Sequence, residues 1–597
     1  MSMPSAFLLE KTEIYRQRQQ ELQQKKNRLT FFRLLLFIVL LCSLAAAYDY
    51  GAAFFIPAVA AAVLFALCVR QYTKLSAREL YTRSYLLVLK QYAMRRAGSW
   101  KDFSEDGQHF LSDDSPEGRD LDLFGRGSLY QWLCNARTMP GQEQLQQALS
   151  PTPPERELIL ARQQAVAAFI ADPEFSLELE AQLGLLPQSH DPREALAAFA
   201  ENTNASPMLF RFFSRFPVFT FLSIFLYLID VSGPEIPAFF LFCQFAISGL
   251  FFAHMSRLFS PLEQCQKAWQ PYSKIFTLLE THNFSSPLLQ DLQKELLDPI
   301  PASDALRRLD RIGACVHMRR NLFFSFFANT LVLWDFLCLQ WFFHWQENYE
   351  EKIPQAIDQL AQTELFLSLA VPGHVREAWV FPQILPEERP ALRAENIVHP
   401  LLSEDAIGNS LAAGSETIIL TGSNMSGKTT FMRTLAVNAV LAYAGAPVCA
   451  EKFAVSRMQL FTSMRIQDDT MQGISTFYAE ILRIKRMIAY SREKVPMFAL
   501  IDEIFKGTNS ADRITGARET LRSLMHPWIL TIVSTHDFEL CTMADDSALP
   551  VKNYHFSEYY TDNEIHFDYL LKPGRCQSTN ARYLLKMAGI LADVPEN

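Results

Sequence analysis

Residues 421–430 read TGSNMSGKTT. A glycine, four residues, then Gly-Lys-Thr is the spacing of a phosphate-binding loop. The run before it, SETIIL (Ser415–Leu420), is short, apolar and β-prone. The run after it, FMRTLAVNAVLAYAG, has helical periodicity. Strand, loop, helix is the context such a loop needs, because backbone N–H groups at a helix N-terminus point at an anion. On this reading Gly422, Ser423, Asn424, Met425, Ser426, Gly427, Lys428, Thr429 and Thr430 hold the phosphates of ATP. Lys428 neutralises the β- and γ-phosphates, and Thr429 is a ligand of Mg2+.

Two further stretches complete that site. MFALIDEIFKGT (Met497–Thr508) is an apolar strand that ends in two acids, and Asp502 lies 74 residues beyond Lys428. Asp502 suits the surroundings of Mg2+, and Glu503 suits a base that orients or deprotonates an attacking water. WILTIVSTHDFEL (Trp528–Leu540) is another strand, ending at His536, which is placed to sense the γ-phosphate. The expectation is an α/β P-loop domain over about residues 391–597.

A second property cuts across the first. From Leu34 to Val69 the only charged residue is Asp49. This is long enough for two short spans with a turn near Tyr48–Gly51. A second candidate hairpin runs over about 216–256, broken by DVSGPE (Asp230–Glu235). The outer flanks carry Lys25, Lys26, Arg28, Arg33, Arg70, Lys74, Arg211, Arg215 and Arg257, whereas the turns carry Asp49, Asp230 and Glu235. The positive-inside rule puts both turns outside and the rest in the cytoplasm, as a multi-pass protein of the inner (cytoplasmic) membrane in contact with lipid. A cleaved signal peptide is disfavoured, since a long charged segment precedes the first apolar run and export would remove the loop from ATP. A buried helical pair in a soluble domain is the alternative for 216–256. The stretch Asn321–Trp345 contains Asn329, Asp335, Gln340 and His344, which are costly in lipid, and is read as a core helix.

Bulk composition narrows the field. The 597 residues allow several domains. The formal net charge of −9 gives no support for a dedicated nucleic-acid binder. The ten cysteines form no CxxC pair, which argues against a zinc site or disulfide framework and for a reducing compartment.

Between the phosphate motifs lies FTSMRIQDDTMQGISTFYAEI (Phe461–Ile481). This stretch, the loop TGSNMSGKTT, LIDEIFKGTNSADR, STHDFEL, HPLL (His399–Leu402) and the tail FDYLLKPGRCQSTNARYLLKMAGI resemble, in order, the MutS mismatch-repair ATPases. Upstream, DLDLFGRGSLYQWLCNART (Asp120–Thr138), ILARQQAVAAF (Ile159–Phe169) and LAQTELFLSLA (Leu360–Ala370) resemble the family's helical core, or lever. The resemblance implies an ABC-type ATPase fold preceded by an all-α core/lever domain carrying the second predicted transmembrane hairpin. It further implies a homodimer through the ATPase domains, in which Ser475 and Thr476 of one subunit reach the γ-phosphate held by the other. Ser423, Ser426 and Phe505-Lys506 depart from the family pattern, while Lys428, Thr429, Asp502, Glu503 and His536 fit it.

The organisation expected is a polar cytoplasmic helix (1–30), a transmembrane hairpin (31–70), a helical linker (71–119), the helical core with the second hairpin (120–390) and the ATPase domain (391–597). No segment resembles the family's mismatch-reading domain, and the second hairpin occupies the place of its DNA clamp. One reading is a membrane-anchored ATPase that handles DNA; the other is a membrane-coupled machine with no DNA substrate. The signature of ABC transporters, L-S-G-G-Q, is absent, with QGISTF in its stead. Glu503 argues against a scaffold without turnover. The sequence identifies no protein partner for the motion.

The topology is directly checkable. With Asp49→Cys or Asp230→Cys, a membrane-impermeant maleimide labels intact spheroplasts. With Glu519→Cys it labels only after lysis. The opposite pattern would invert the assignment.

Overall fold

The computed structural model describes residues 3–112, 115–186, 212–349, 351–376, 378–386, 388–403, 405–465, 476–505, 510–561 and 564–576. It opens with two very long helices, α1 (Ser5–Tyr50) and α2 (Phe55–Arg96), which pack along each other. Nothing between Ser5 and Tyr50 is Gly or Pro, so nothing stops α1 until Gly51, at φ 106°. The boundaries expected near residues 30 and 70 are therefore absent as breaks. The polar helix and the first span are one rod, and the second span continues into the linker. Tyr15 stacks on Tyr85 at 3.9 Å, and Lys26 pairs with Glu79.

The helical core follows: α3 (Glu117–Asp120), α4 (Leu129–Leu133), α5 (Met139–Ala148), α6 (Arg156–Ala171) and α7 (Pro173–Leu183). Then come α8 (Phe216–Leu228), α9 (Glu235–Thr281), α10 (Pro287–Leu297), α11 (Ala302–Met318), α12 (Leu322–Val332), α13 (Trp334–Tyr349) and α14 (Lys352–Val375). Helix α14 is the spine of this domain and is buried along most of its length. Its Glu364 accepts hydrogen bonds from the backbone N–H of Arg137 (2.7 Å) and Thr138 (3.1 Å) and from the Thr138 hydroxyl. Burial pushes the Glu364 carboxyl up to about 7 against the pull of these donors. A Cβ on Gly141 would lie 2.1 Å from Glu364 Oε2, so only glycine lets α5 approach this closely.

Among the described residues, three helical stretches, Ser5–Tyr50, Ala52–Arg96 and Glu235–Ser260, are long and apolar enough to cross a membrane. Helix α8, at 13 residues, is about 20 Å long, less than the ~30 Å of a hydrocarbon core. The expected second hairpin thus has one full-length arm and one short one. The stretch read as a single core helix, Asn321–Trp345, is two helices bent by 79° at Leu333, which takes the left-handed conformation (φ 48°). The expectation holds for α13, whose Phe336, Leu339 and Phe342 are buried. It does not fit α12, whose Leu322, Phe323, Phe326 and Phe327 are exposed.

The C-terminal domain contains two larger sheets. One has β1 (Gln383–Leu385), β2 (Leu392–Ile397), β3 (Asn409–Ala413) and β5 (Lys452–Ser456) in the order β1-β5-β2-β3. The other contains β4 (Thr417–Thr421), β6 (Gln459–Ser463), β7 (Met497–Asp502), β8 (Ile529–Ser534), β9 (Val551–His555) and β12 (Lys572–Pro573) in the order β12-β9-β4-β8-β7-β6. A hairpin of β10 (Glu558–Thr561) and β11 (Glu564–Phe567) stands apart. Five strands of the six-stranded sheet are parallel, and antiparallel β12 closes one edge. Helices α15 (Lys428–Ala444), α16 (Thr476–Ser491) and α17 (Ser510–Leu524) cover it. Residues of β4 and β8 are buried throughout, which is why TIILT and ILTIVS read as unbroken apolar runs.

One carboxylate gathers several of the hydrogen bonds between the two domains. Asp120, fully buried, accepts hydrogen bonds from Thr462 Oγ1 (2.8 Å), Met464 N (3.0 Å), Arg465 N (3.1 Å) and Arg483 Nη1 (2.8 Å). Asp122 beside it pairs with Arg433 and Arg465. Asp120→Ala leaves these donors without their acceptor. We expect it to destabilise the domain contact by about 2–4 kcal/mol. Calorimetry should show the C-terminal domain melting earlier; an unchanged thermogram would refute this role.

Candidate nucleotide site

Parallel strands β4, β7 and β8 end at one level, with Leu420 and Asp502 both in register with Ser534. Ligands of open parallel sheets bind at such carboxyl ends. Here they open into a cleft of about 640 Å3. One wall is the loop from Ser423 to Thr430. The other holds His399, Leu402, Ile407 and Tyr569.

The loop leaves β4 at Gly422, whose φ is 143°. A Cβ there would lie 2.7 Å from Phe556 O and 2.8 Å from Ser426 Oγ, so no side chain fits. The loop re-enters helix at Gly427, also left-handed, and α15 begins with Lys428. Lys428 Nζ donates to the carbonyls of Gly422 and Ser423, both at 2.9 Å. Met425 stands 86% exposed at the loop's apex. Ser423 Oγ donates to Glu558, and Ser426 Oγ is buried without a hydrogen-bond partner. A buried hydroxyl without a partner inside a glycine-bounded loop at a helix N-terminus fits a phosphate oxygen.

The acids come from β7. Thr429 Oγ1 donates to Asp502 Oδ2 at 2.9 Å, and Ser534 Oγ donates to Asp502 Oδ1. This hydroxyl–carboxylate pair is the donor set that Mg2+ favours, hard oxygen ligands with room for water. Glu503 adopts φ 57°, with its N–H on Ser534 O at 3.1 Å. The strained turn directs it toward His536, whose Nε2 lies 3.3 Å from Glu503 Oε1 and 2.9 Å from Asn424 Oδ1. Both partners are acceptors, so Nε2 is assigned as the protonated nitrogen. Asn424, Lys428, Thr429 and Glu503 therefore line one cleft, with Asp502 bonded to Thr429 and His536 beside Glu503 and Asn424, all at three strand ends.

Ser475 lies outside the described residues, as does the rest of 466–475. Thr476 begins α16. Both flanks of that segment are held by Asp120, through Arg465 N on one side and Arg483 on the other. Sequence reading missed Ser534, Glu558 and Tyr569. The serine could have been found, since it occupies the end of a strand that must neighbour β7. The other two come from strands and turns whose place depends on the tertiary fold.

Residues 418–597 match the family description MutS domain V. The DNA mismatch repair protein MutS of Chloroflexus aurantiacus is 29% identical over 256 residues, covering 41% of this chain and 26% of that protein. The DNA mismatch repair protein MutS of Staphylococcus aureus is 29% identical over 260 residues, covering 42% of this chain and 29% of that protein. The chain thus matches little more than a quarter of the length of these curated relatives.

The backbone at Gly422 is the sharpest test of the loop. We expect Gly422→Ala to weaken ATP binding by about 10–100-fold, the equivalent of ~1–3 kcal/mol of strain. Equilibrium titration with a fluorescent ATP analogue reads this out, and unaltered affinity would show that the loop does not hold the nucleotide.

Proposed function

We propose, on the premise that this chain is a member of the MutS family, that it is a membrane-anchored ATPase working as a homodimer and coupling its cycle to DNA. The observation that carries the ATPase reading is a constellation at three strand ends: Lys428, Thr429 and Glu503 line one cleft, Asp502 is bonded to Thr429, and His536 stands 3.3 Å from Glu503. A triphosphate laid along residues 422–430 meets the loop N–H groups, the Ser426 hydroxyl and Lys428, which exchanges its two carbonyl partners for phosphate oxygens. Thr429 and Asp502 would hold Mg2+, which supplies charge neutralisation on the phosphates. Glu503 orients a water in line with the γ-phosphate and accepts its proton. His536, hydrogen-bonded to Asn424 and 3.3 Å from Glu503 Oε1, holds that carboxylate against the loop. In the dimer, Ser475 and Thr476 of the second copy complete the site.

Coupling to DNA is supported by the relatives, which are named for DNA mismatch repair. Anchoring is supported by the three helices of spanning length and apolarity. A second reading, a membrane-coupled machine with no DNA substrate, is favoured by the apolar outer surface of α8 and α9, where the lever's far end would otherwise meet a duplex.

ATP turnover of the full chain in liposomes separates the two. We expect Glu503→Gln to cut turnover by about 10²–10⁴-fold while retaining ATP binding. In the unaltered protein, stimulation by homoduplex, mismatched or branched DNA that fades as salt rises supports the DNA reading. Indifference to every DNA combined with dependence on lipid supports the second.

A further inference from the structure

Helices α8, α9 and α12 are packed inside out. Phe221, Phe225, Phe239, Phe242, Phe323 and Phe327 are between 53% and 79% exposed. The seam between the helices holds Thr220, Ser223, Gln244, Ser325 and Asn329, all buried. Water selects the reverse arrangement; a lipid solvent leaves apolar groups outside and pairs polar groups within.

Helix α12 lies along α9 in the opposite direction. At its start, Arg319 donates to Ser256 Oγ at 3.1 Å and its guanidinium stands 5.6 Å from the Phe252 ring. Midway, Phe326 meets Phe245 at 5.9 Å. At its end, the Gln244 side-chain amide lies 2.5 Å from Thr330 O and 3.2 Å from Leu331 O, with its other terminal atom 2.7 Å from Thr220 Oγ1. The nitrogen is assigned to the carbonyl side, because the opposite orientation sets oxygen against oxygen.

That placement has a physical consequence. The last carbonyls of any helix lack intrahelical partners, and hydrocarbon offers none. Gln244 is nine residues beyond Glu235 in the apolar stretch Glu235–Ser260, or ~14 Å along it, close to the middle of a ~30 Å core. Helix α12, 11 residues and ~16 Å long, reaches that depth and goes no further. The chain turns at Leu333, where Asp335 N donates to Asn329 Oδ1 at 3.0 Å and the Asp335 carboxylate returns to Arg319 at 3.1 Å.

We propose that α12 is a re-entrant half-helix. It enters the bilayer beside α9 from the side of Arg319, ends near the mid-plane with its terminal carbonyls capped by Gln244, and returns at Leu333. This rests on the reading that α9 crosses a membrane. The membrane partner is therefore a three-helix unit, α8, α9 and α12, rather than a hairpin alone.

The test uses the full chain in liposomes containing radiolabelled phospholipid, with p-benzoylphenylalanine in place of one phenylalanine at a time. Phe242 reports on α9, Phe326 on α12, and Phe381 in the ATPase domain is the control outside the bilayer. After irradiation we expect acyl-chain cross-links at Phe242 and Phe326 and none at Phe381. A cross-link at Phe242 without one at Phe326 overturns the half-helix and leaves the spanning reading of α9 intact. Cross-links at neither overturn both. Adding Gln244→Leu should abolish the Phe326 cross-link while the Phe242 cross-link persists. Retention at Phe326 in that variant overturns the capping role.

Discussion

The Asp120 carboxylate is the joint on which the molecule's architecture turns. A buried acid is costly unless its oxygens are filled, and four donors fill these, all from the C-terminal domain. Two of the donors are backbone N–H groups just beyond β6. The arginine comes from α16, on the far side of residues 466–475. One side chain of the helical core therefore fixes both approaches to the segment that carries Ser475. A displacement of either flank reaches the helical core through these hydrogen bonds, whose loss would leave a buried carboxylate without its donors. Gly445 closes a second contact: at φ 89° it lies so near Arg162 of α6 that a Cβ would sit 2.6 Å from the arginine's own.

The grouping of the candidate site's residues was the most legible part of the sequence, and the reason is geometric. A phosphate loop, a strand ending in two acids and a strand ending in histidine are local patterns. A parallel sheet places their carboxyl ends together, whatever lies between. What stayed hidden were the residues that hold those groups in place. Ser534 reaches Asp502 only because β8 lies between β4 and β7, an order that sequence spacing does not state. In the apolar half of the chain, composition indicated which stretches favour lipid but not where helices stop. The absence of Gly and Pro from Ser5 to Tyr50 was visible, yet the change from polar to apolar near residue 30 invited a boundary that the backbone does not make. The polar residues of Asn321–Trp345 argued for a soluble core. In the structure Asn329 and Asp335 lie in a seam, where the Asp335 N–H donates to Asn329 Oδ1 and the Asp335 carboxylate accepts from Arg319, and the phenylalanines of α12 stay outside.

Two regions of this molecule are packed in opposite senses. In the C-terminal domain apolar strands are buried and polar groups line a cleft. Around α8, α9 and α12 the polar groups are buried and the rings face outward. Helix α9 takes part in both regimes. Its first half carries the exposed phenylalanines, and its second half buries Trp269, Ile275 and Phe276 in the helical core.

The unbroken length of α1 has a mechanical meaning. A helix of 46 residues is about 69 Å long, and it has no internal hinge. Its foot is fastened to the core, by Lys11 to Glu174 of α7 and by the N–H of Met3 to the carbonyl of His374 at the end of α14. Its shaft is fastened to α2 by the stacked tyrosines. Such a rod turns a small rotation into a large sweep: a tilt of ~5° at the foot carries the far tip through ~6 Å. A rearrangement of the core too slight to notice at the nucleotide cleft would be amplified into a displacement of more than a helix radius at the other end.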